Sequence, residues 1–152
     1  DRWLYGIEAD VAEEPFSTEI GKAAVRREGR HVTIVAFSYL VPKALEAADL
    51  LASRSVECEV VDLRTLNPLD RPTMISSVVK TGRAVVVHEA PRTAGFGAEI
   101  VSLINEHAVL QLEAPVERVA GFDVVFPLAQ NEKLYLPSRD RIVAAAEKAF
   151  AF

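Results

Sequence analysis

The chain has 152 residues, half of them apolar and 26% charged, enough for one globular domain with a core of its own. A net charge of −5 argues against a binder of nucleic-acid backbones, which needs clustered lysine and arginine. No apolar run approaches the ~20 residues of a membrane span, no basic-then-apolar start reads as a secretory signal, and the single Cys58 permits no internal disulfide, so a cytoplasmic setting is expected.

Residues 1–18 carry Trp3 and Tyr5 without clear periodicity, then an acidic stretch from Glu8 to Pro15. They read as a connector, with the two aromatics packing on a neighbour; the domain proper is expected over 19–152. Gly21 to Arg27 is a weak strand, followed by a turn at Gly29-Arg30. His31 to Phe37 is β-branched and apolar, the pattern of a buried strand. From Ser38 to Arg54 the apolar residues recur at helical spacing, with Ser38 as the expected cap and Pro42 in the first turn. Glu57 to Leu63 is the next strand, with Cys58 expected to be a buried, inert thiol. Asn67-Pro68 is a turn, and Asp70 caps a helix from Arg71 to Lys80 that Gly82 closes. Ala84 to His88, Ala98 to Ala108 and Val116 to Ala120 follow as strand, helix and strand. Pro127 to Leu136 reads as loop, and Ser138 caps a last helix.

Alternating strands and helices predict an α/β domain of three layers, with helices on both faces of an about five-stranded, mostly parallel sheet. The first strand is expected at an edge, antiparallel to the second across the Gly29 turn.

The stretch RAVVVHEAPRTAGFGAE, residues 83–99, has the form of a ligand or partner site: a buried strand, polar residues at its C-terminal end, glycines, then a helix. His88 and Glu89 are adjacent in a strand, so they point to opposite faces and form no direct acid–base pair. His88 is expected to be a hydrogen-bonded structural residue, and Arg92 to pair with Glu89 or with an acidic partner chain. Gly95-Phe96-Gly97 before a helix could cradle phosphate, but it follows the wrong strand for a dinucleotide fingerprint and Ile100 replaces the third glycine. A sharp strand-to-helix turn is the preferred reading. Asp62 and Arg64 share a face by period two and are expected to order their loop as an ion pair. His31, His88 and His107 are scattered, so no metal cluster is expected.

Taken together, VTIVAFSYLVPKALEAADLL, CEVVDLRTLNPLD, VVKTGRAVVVHEAPRTAGFGAEI and LEAPVERVAGFDVVFPLA resemble the C-terminal domain of the beta subunit of thiamine-diphosphate-dependent 2-oxo acid dehydrogenases, a transketolase C-terminal-like fold, from about Gly21 to Phe152. The HEAPRTAGFGAE segment looks most like the branched-chain (2-oxoisovalerate) enzymes; the alternatives are pyruvate or acetoin dehydrogenase, transketolase or deoxyxylulose phosphate synthase. The resemblance implies that thiamine diphosphate and magnesium are bound outside this chain, by a preceding domain together with the alpha subunit. It also implies that this domain supplies assembly contacts rather than chemistry. The implied partners are the decarboxylase alpha subunit, a second beta subunit and the dihydrolipoyl acyltransferase core, with no nucleic acid and no membrane. On this reading His88, Glu89, Arg92 and Phe96 face another subunit. Glu113, Glu117 and the carboxylate of Phe152 dock a basic domain of the acyltransferase. The rivals are a free nucleotide-binding module, disfavoured because Phe37-Ser38-Tyr39-Leu40 has no glycine, and a small enzyme using His88 and Glu89, disfavoured by strand alternation.

Overall fold

A computed structural model describes residues 2–10 and 13–152. Residues 1, 11 and 12 of the expected connector lie outside that range. Five strands, β1 (Ala24–Arg27), β2 (Val32–Ala36), β3 (Cys58–Asp62), β4 (Ala84–Pro91) and β5 (Glu117–Gly121), form one sheet in the order β1-β3-β2-β4-β5. All neighbours are parallel except β1 and β3. Helices α1 (Leu40–Ala52) and α5 (Arg139–Phe150) cover one face and α2 (Arg71–Thr81) and α3 (Phe96–Ala108) the other, the three layers expected from the alternating pattern.

Strand alternation sorts the core. Ile34, Val60, Val85 and Val87 pack under α1 and α5, while Val35, Val61, Ala84 and Val86 pack under α2 and α3. Burial of these β-branched residues on both sides is the signature of a parallel sheet. Thr33 is the polar member of the second face. Its Oγ1 lies 2.9 Å from Ser77 Oγ and 2.8 Å from Thr81 Oγ1 and donates to the Ser77 carbonyl, so α2 is seated on the sheet by hydroxyls.

The first strand departs from the expected hairpin. β1 pairs with β3, Ala24 opposite Asp62, because β2 has both edges occupied by β3 and β4. The chain crosses the start of β3 to reach β2. Gly29 makes that crossing possible: a Cβ there would lie 2.2 Å from the Cys58 carbonyl carbon and from the Glu59 nitrogen. Arg30 and His31 donate their N–H groups to the Glu57 carbonyl on the way.

Asp70 caps α2 as expected, accepting from Thr73 N and also from the N–H of Ala23, which ties β1 to that helix. Burial pulls its carboxyl upward, but the Thr73 hydroxyl and the two N–H groups outweigh this and hold it below the ordinary value. Ser38 does not cap α1. It sits at φ 58, and the cap position falls on Tyr39. Cys58 is buried, and its surroundings push the thiol up to about 12, an inert group. Asp62 and Arg64 make no ion pair among the described residues; the Asp62 carboxylate accepts the Arg64 N–H instead, an Asx-type turn with Arg64 at φ 56. Within the expected loop, residues 132–135 form a short helix, α4 (Glu132–Tyr135).

Glu59 is a buried charge on β3. Its carboxylate is ion-paired with Lys80 and accepts the Gly29 N–H at 3.3 Å, while Lys80 also reaches Glu28 at 2.9 Å. Glu59, ahead of opposing burial, raises the Lys80 ammonium above its ordinary value. Lys80→Met leaves Glu59 with a single backbone donor. It is expected to lower stability by about 2 kcal/mol, below the figure for a fully buried pair because Lys80 is partly exposed. Urea unfolding at neutral pH measures this, and an unchanged midpoint would contradict it.

Candidate functional site

β4 runs on past His88 to Pro91, and β2 and β5 end beside it, so the polar residues singled out in the sequence gather at the C-terminal ends of the parallel strands. The connections out of β2 and β4 run to opposite sides, which makes the gap between these strands the switch point where open α/β sheets take ligands. Here Trp3, from a 3₁₀ turn at Arg2–Gly6, packs on Tyr39 at the start of α1 with ring centroids 6.0 Å apart.

His88 and Glu89 point to opposite faces, as alternation demands. His88 faces α3 and is fully buried, and neither ring nitrogen has a hydrogen-bond partner among the described residues, contrary to the expected structural hydrogen bond. The two glycines of Gly95-Phe96-Gly97 explain its position. A Cβ on Gly97 would lie 2.2 Å from His88 Cδ2, and one on Gly95 2.6 Å from His88 Cε1. These glycines are therefore required for close packing on the imidazole. The left-handed residue that turns strand into helix is Ala94, at φ 58. Burial first, then the charges of Arg118 and Arg92, lower the His88 pKa and hold the ring neutral. With the imidazole filling this cradle, the helix start has no opening for a phosphate.

Glu89, on the other face, lines an open groove with Trp3, Phe126, Leu128 and Glu132. Arg92 does not pair with Glu89. Its Nη1 donates to the Arg118 carbonyl at 3.0 Å, and Arg118 Nη1 returns a bond to the Arg92 carbonyl at 3.1 Å, which locks the turn onto β5. Phe96 is half-buried, edge-on to Phe37 at 6.3 Å.

The second expected patch lies at the opposite end of the sheet. Glu113 is ion-paired with Arg83 at 2.6 Å, and Glu117, at the start of β5, with Lys148 at 2.7 Å. The Arg83 guanidinium also lies 5.8 Å from the Phe150 ring, so Glu113 and the end of α5 are drawn together, with Phe152 78% exposed just beyond. The structure thus brings Glu113, Glu117 and Phe152 to one region, but each glutamate already has an internal cation.

One surface is not evident from residue types at helix or strand spacing. After β5 the run Val124 to Leu128, preceded by Phe122 and Asp123, is apolar yet outside the core, with Val125 91% and Leu128 88% exposed, and Leu134 of α4 is exposed as well. Tyr135 is buried beneath it, 5.0 Å from the Phe126 ring and 6.4 Å from that of Phe122. An apolar patch of this kind marks a contact surface. The signal in the sequence is VVFPL: five apolar residues with neither strand neighbours nor helical spacing.

Among the described residues no three His, Cys, Asp or Glu side chains are placed to hold a metal ion, and no helix is long and apolar enough to cross a membrane.

Residues 21–142 match the family described as transketolase, C-terminal domain. The chain is 48% identical over 143 residues to the pyruvate dehydrogenase E1 component subunit beta of Bacillus subtilis, and 43% identical over the same length to that of Staphylococcus aureus. Each match covers 94% of this chain but 44% of the relative, so the chain spans less than half the length of these curated relatives. Among solved structures, one described as a split gene transketolase, inactive beta4 tetramer, superposes with a TM-score of 0.74 at 34% identity, covering 94% of this chain and 46% of that one.

Proposed function

Since the chain belongs to the transketolase C-terminal domain family, we propose that it is the C-terminal domain of the beta subunit of a 2-oxo acid dehydrogenase, the decarboxylating component of a multienzyme complex. The 48% identity to a beta subunit across 94% of the chain carries this reading. It also favours pyruvate over the branched-chain 2-oxo acids as the parent enzyme's substrate: agreement over 143 residues outweighs the HEAPRTAGFGAE segment on which the branched-chain likeness rests. The cytoplasm is the proposed compartment.

The residues of this chain do not fit thiamine diphosphate or its magnesium. Among the described residues the one glycine pair at a helix start is filled by His88, and no carboxylate cluster is placed for the ion. We assign the cofactor to parts of the parent enzyme outside this chain. The domain's own work is then assembly, and residues 1–18 are its connector.

The exposed run from Phe122 to Leu128, with Arg92 beside it, combines aromatics and arginine as subunit contacts do, and we assign it to a neighbouring alpha or beta subunit. His88, fully buried against α3, and Phe96, packed on Phe37, are not part of that surface; Glu89 and Arg92 border it. We assign the Glu113, Glu117 and Phe152 end to the acyltransferase. A basic partner there competes with Arg83 and Lys148 for the two glutamates, so docking weakens steeply with salt.

Size-exclusion chromatography with light scattering, with and without the acyltransferase's subunit-binding domain, tests both assignments. The expected result is a complex that Glu113→Lys combined with deletion of Phe152 weakens about tenfold or more. Val125→Asp is expected to leave that complex intact while reducing association with the other decarboxylase subunits. Docking unchanged by the first variant removes the acyltransferase assignment.

A further inference from the structure

Three arginines converge where β4, β5 and α5 meet. Arg92 and Arg118 are held by their reciprocal bonds to each other's carbonyls. Arg141, in the first turn of α5, donates from Nη2 to the Ala120 carbonyl at 2.6 Å and stacks 4.8 Å from the Phe122 ring. Its Nη1 is shielded from solvent and has no hydrogen-bond partner among the described residues. Among the described residues none of the three forms an ion pair with a carboxylate. Asp123, which also lines the site, accepts the Thr93 N–H at one oxygen at 2.8 Å and the Thr93 hydroxyl at the other at 2.7 Å, and these bonds, helped by the Arg92 N–H and charge, hold its carboxyl below the ordinary value. Arg92, Arg141, Phe122, Asp123 and Ala120-Gly121 line a half-open cavity of about 250 Å³.

The Asp123 charge answers Arg92, while the Arg141 guanidinium is opposed by burial and by the charge of Arg92, which both lower its pKa. An unpartnered guanidinium donor next to a cavity is also a rare defect in a native protein.

We infer that this arginine pocket at the β5–α5 junction is a binding site for a small oxyanion of the phosphate or carboxylate class. Guanidinium forks match the paired oxygens of either group and retain their charge at any physiological pH. The volume sets the size class. It falls below the roughly 300–1,000 Å³ of sites that enclose drug-sized ligands, so a nucleotide or a diphosphate cofactor is too large. The site shares Arg92 and Phe122 with the surface assigned above to a neighbouring subunit, but every contact in it belongs to this chain, so it is tested on this chain alone.

The test is NMR observation of the arginine Nε–H resonances during titration of the 152-residue chain with sodium phosphate, and separately with sodium acetate, at ionic strength fixed by sodium chloride. Saturable shifts of Arg92 and Arg141 with at least one of the two anions are expected. Saturation by phosphate alone identifies a tetrahedral ligand, and by acetate alone a carboxylate. Arg92→Gln, an exposed position, is expected to weaken binding about tenfold, the value of one charged hydrogen bond. Arg141→Gln is expected to abolish binding; if that variant does not fold, Arg92→Gln decides alone. Shifts that stay linear to roughly 50 mM for both anions, too weak for a site, overturn the inference. So does an affinity unchanged by Arg92→Gln.

Discussion

Gly97→Ala is expected to lower the unfolding free energy of this chain by about 3 kcal/mol, at the upper end for overpacking a core. The added methyl would stand 2.2 Å from His88 Cδ2 and 2.3 Å from Nε2, and the ring has nowhere to move: Gly95 closes on its other edge. Either the imidazole leaves its place or α3 slides away from β4. Urea unfolding gives the loss, and a midpoint equal to wild type would show that the contact is soft. The double variant Gly97→Ala, His88→Ala separates steric conflict from helix propensity. Alanine is the better helix former, so once the ring is removed the Gly97 change should become neutral or stabilising.

The second large effect depends on pH. His88 has a folded-state pKa below its ordinary 6.5, through burial first and then Arg118 and Arg92. In the unfolded chain the ring takes up a proton as pH falls through about 6.5; in the folded chain it does not until a lower pH. The unfolded state then binds more protons, so stability is fully present above about pH 6.5 and declines as pH falls below it. The slope approaches about 1.4 kcal/mol per pH unit, the limit for one proton. His88→Leu removes this contribution. The difference between wild type and variant, measured by urea unfolding from pH 7 to pH 5, isolates the buried ring. Parallel curves would mean that His88 is protonated in the folded state.

These two effects rest on a residue whose position was legible in the sequence and whose environment was not. Strand alternation separates His88 from Glu89 correctly, because that geometry is local. It carries no information about what arrives from a helix nine residues later, so the glycines read as turn-makers while the left-handed turn is at Ala94. The same limit explains the first strand. A short spacer after a strand favours a hairpin, but the destination of β1 is decided by β3, which comes 31 residues after the strand ends and fills the edge of β2. The three-layer architecture and the capping by Asp70 and Ser138 were readable because they follow from periodicity and near-neighbour chemistry. The exposed run after β5 leaves a local trace in VVFPL, but its exposure does not follow from the sequence pattern, and the arginine pocket leaves none, since each depends on which elements fold beside it.

The two candidate surfaces lie at opposite poles of the sheet, one at the C-terminal ends of the strands and the other where β4 and β5 begin. Five residues of strand separate them by ~17 Å of packed valine and alanine. Groups that far apart with no shared partner contribute nearly additively. If both surfaces bind as proposed, the domain behaves as a spacer with two independent ends. Sequence drift that retunes one attachment is energetically invisible to the other, so such a protein could exchange one partner in evolution while keeping its grip on the next.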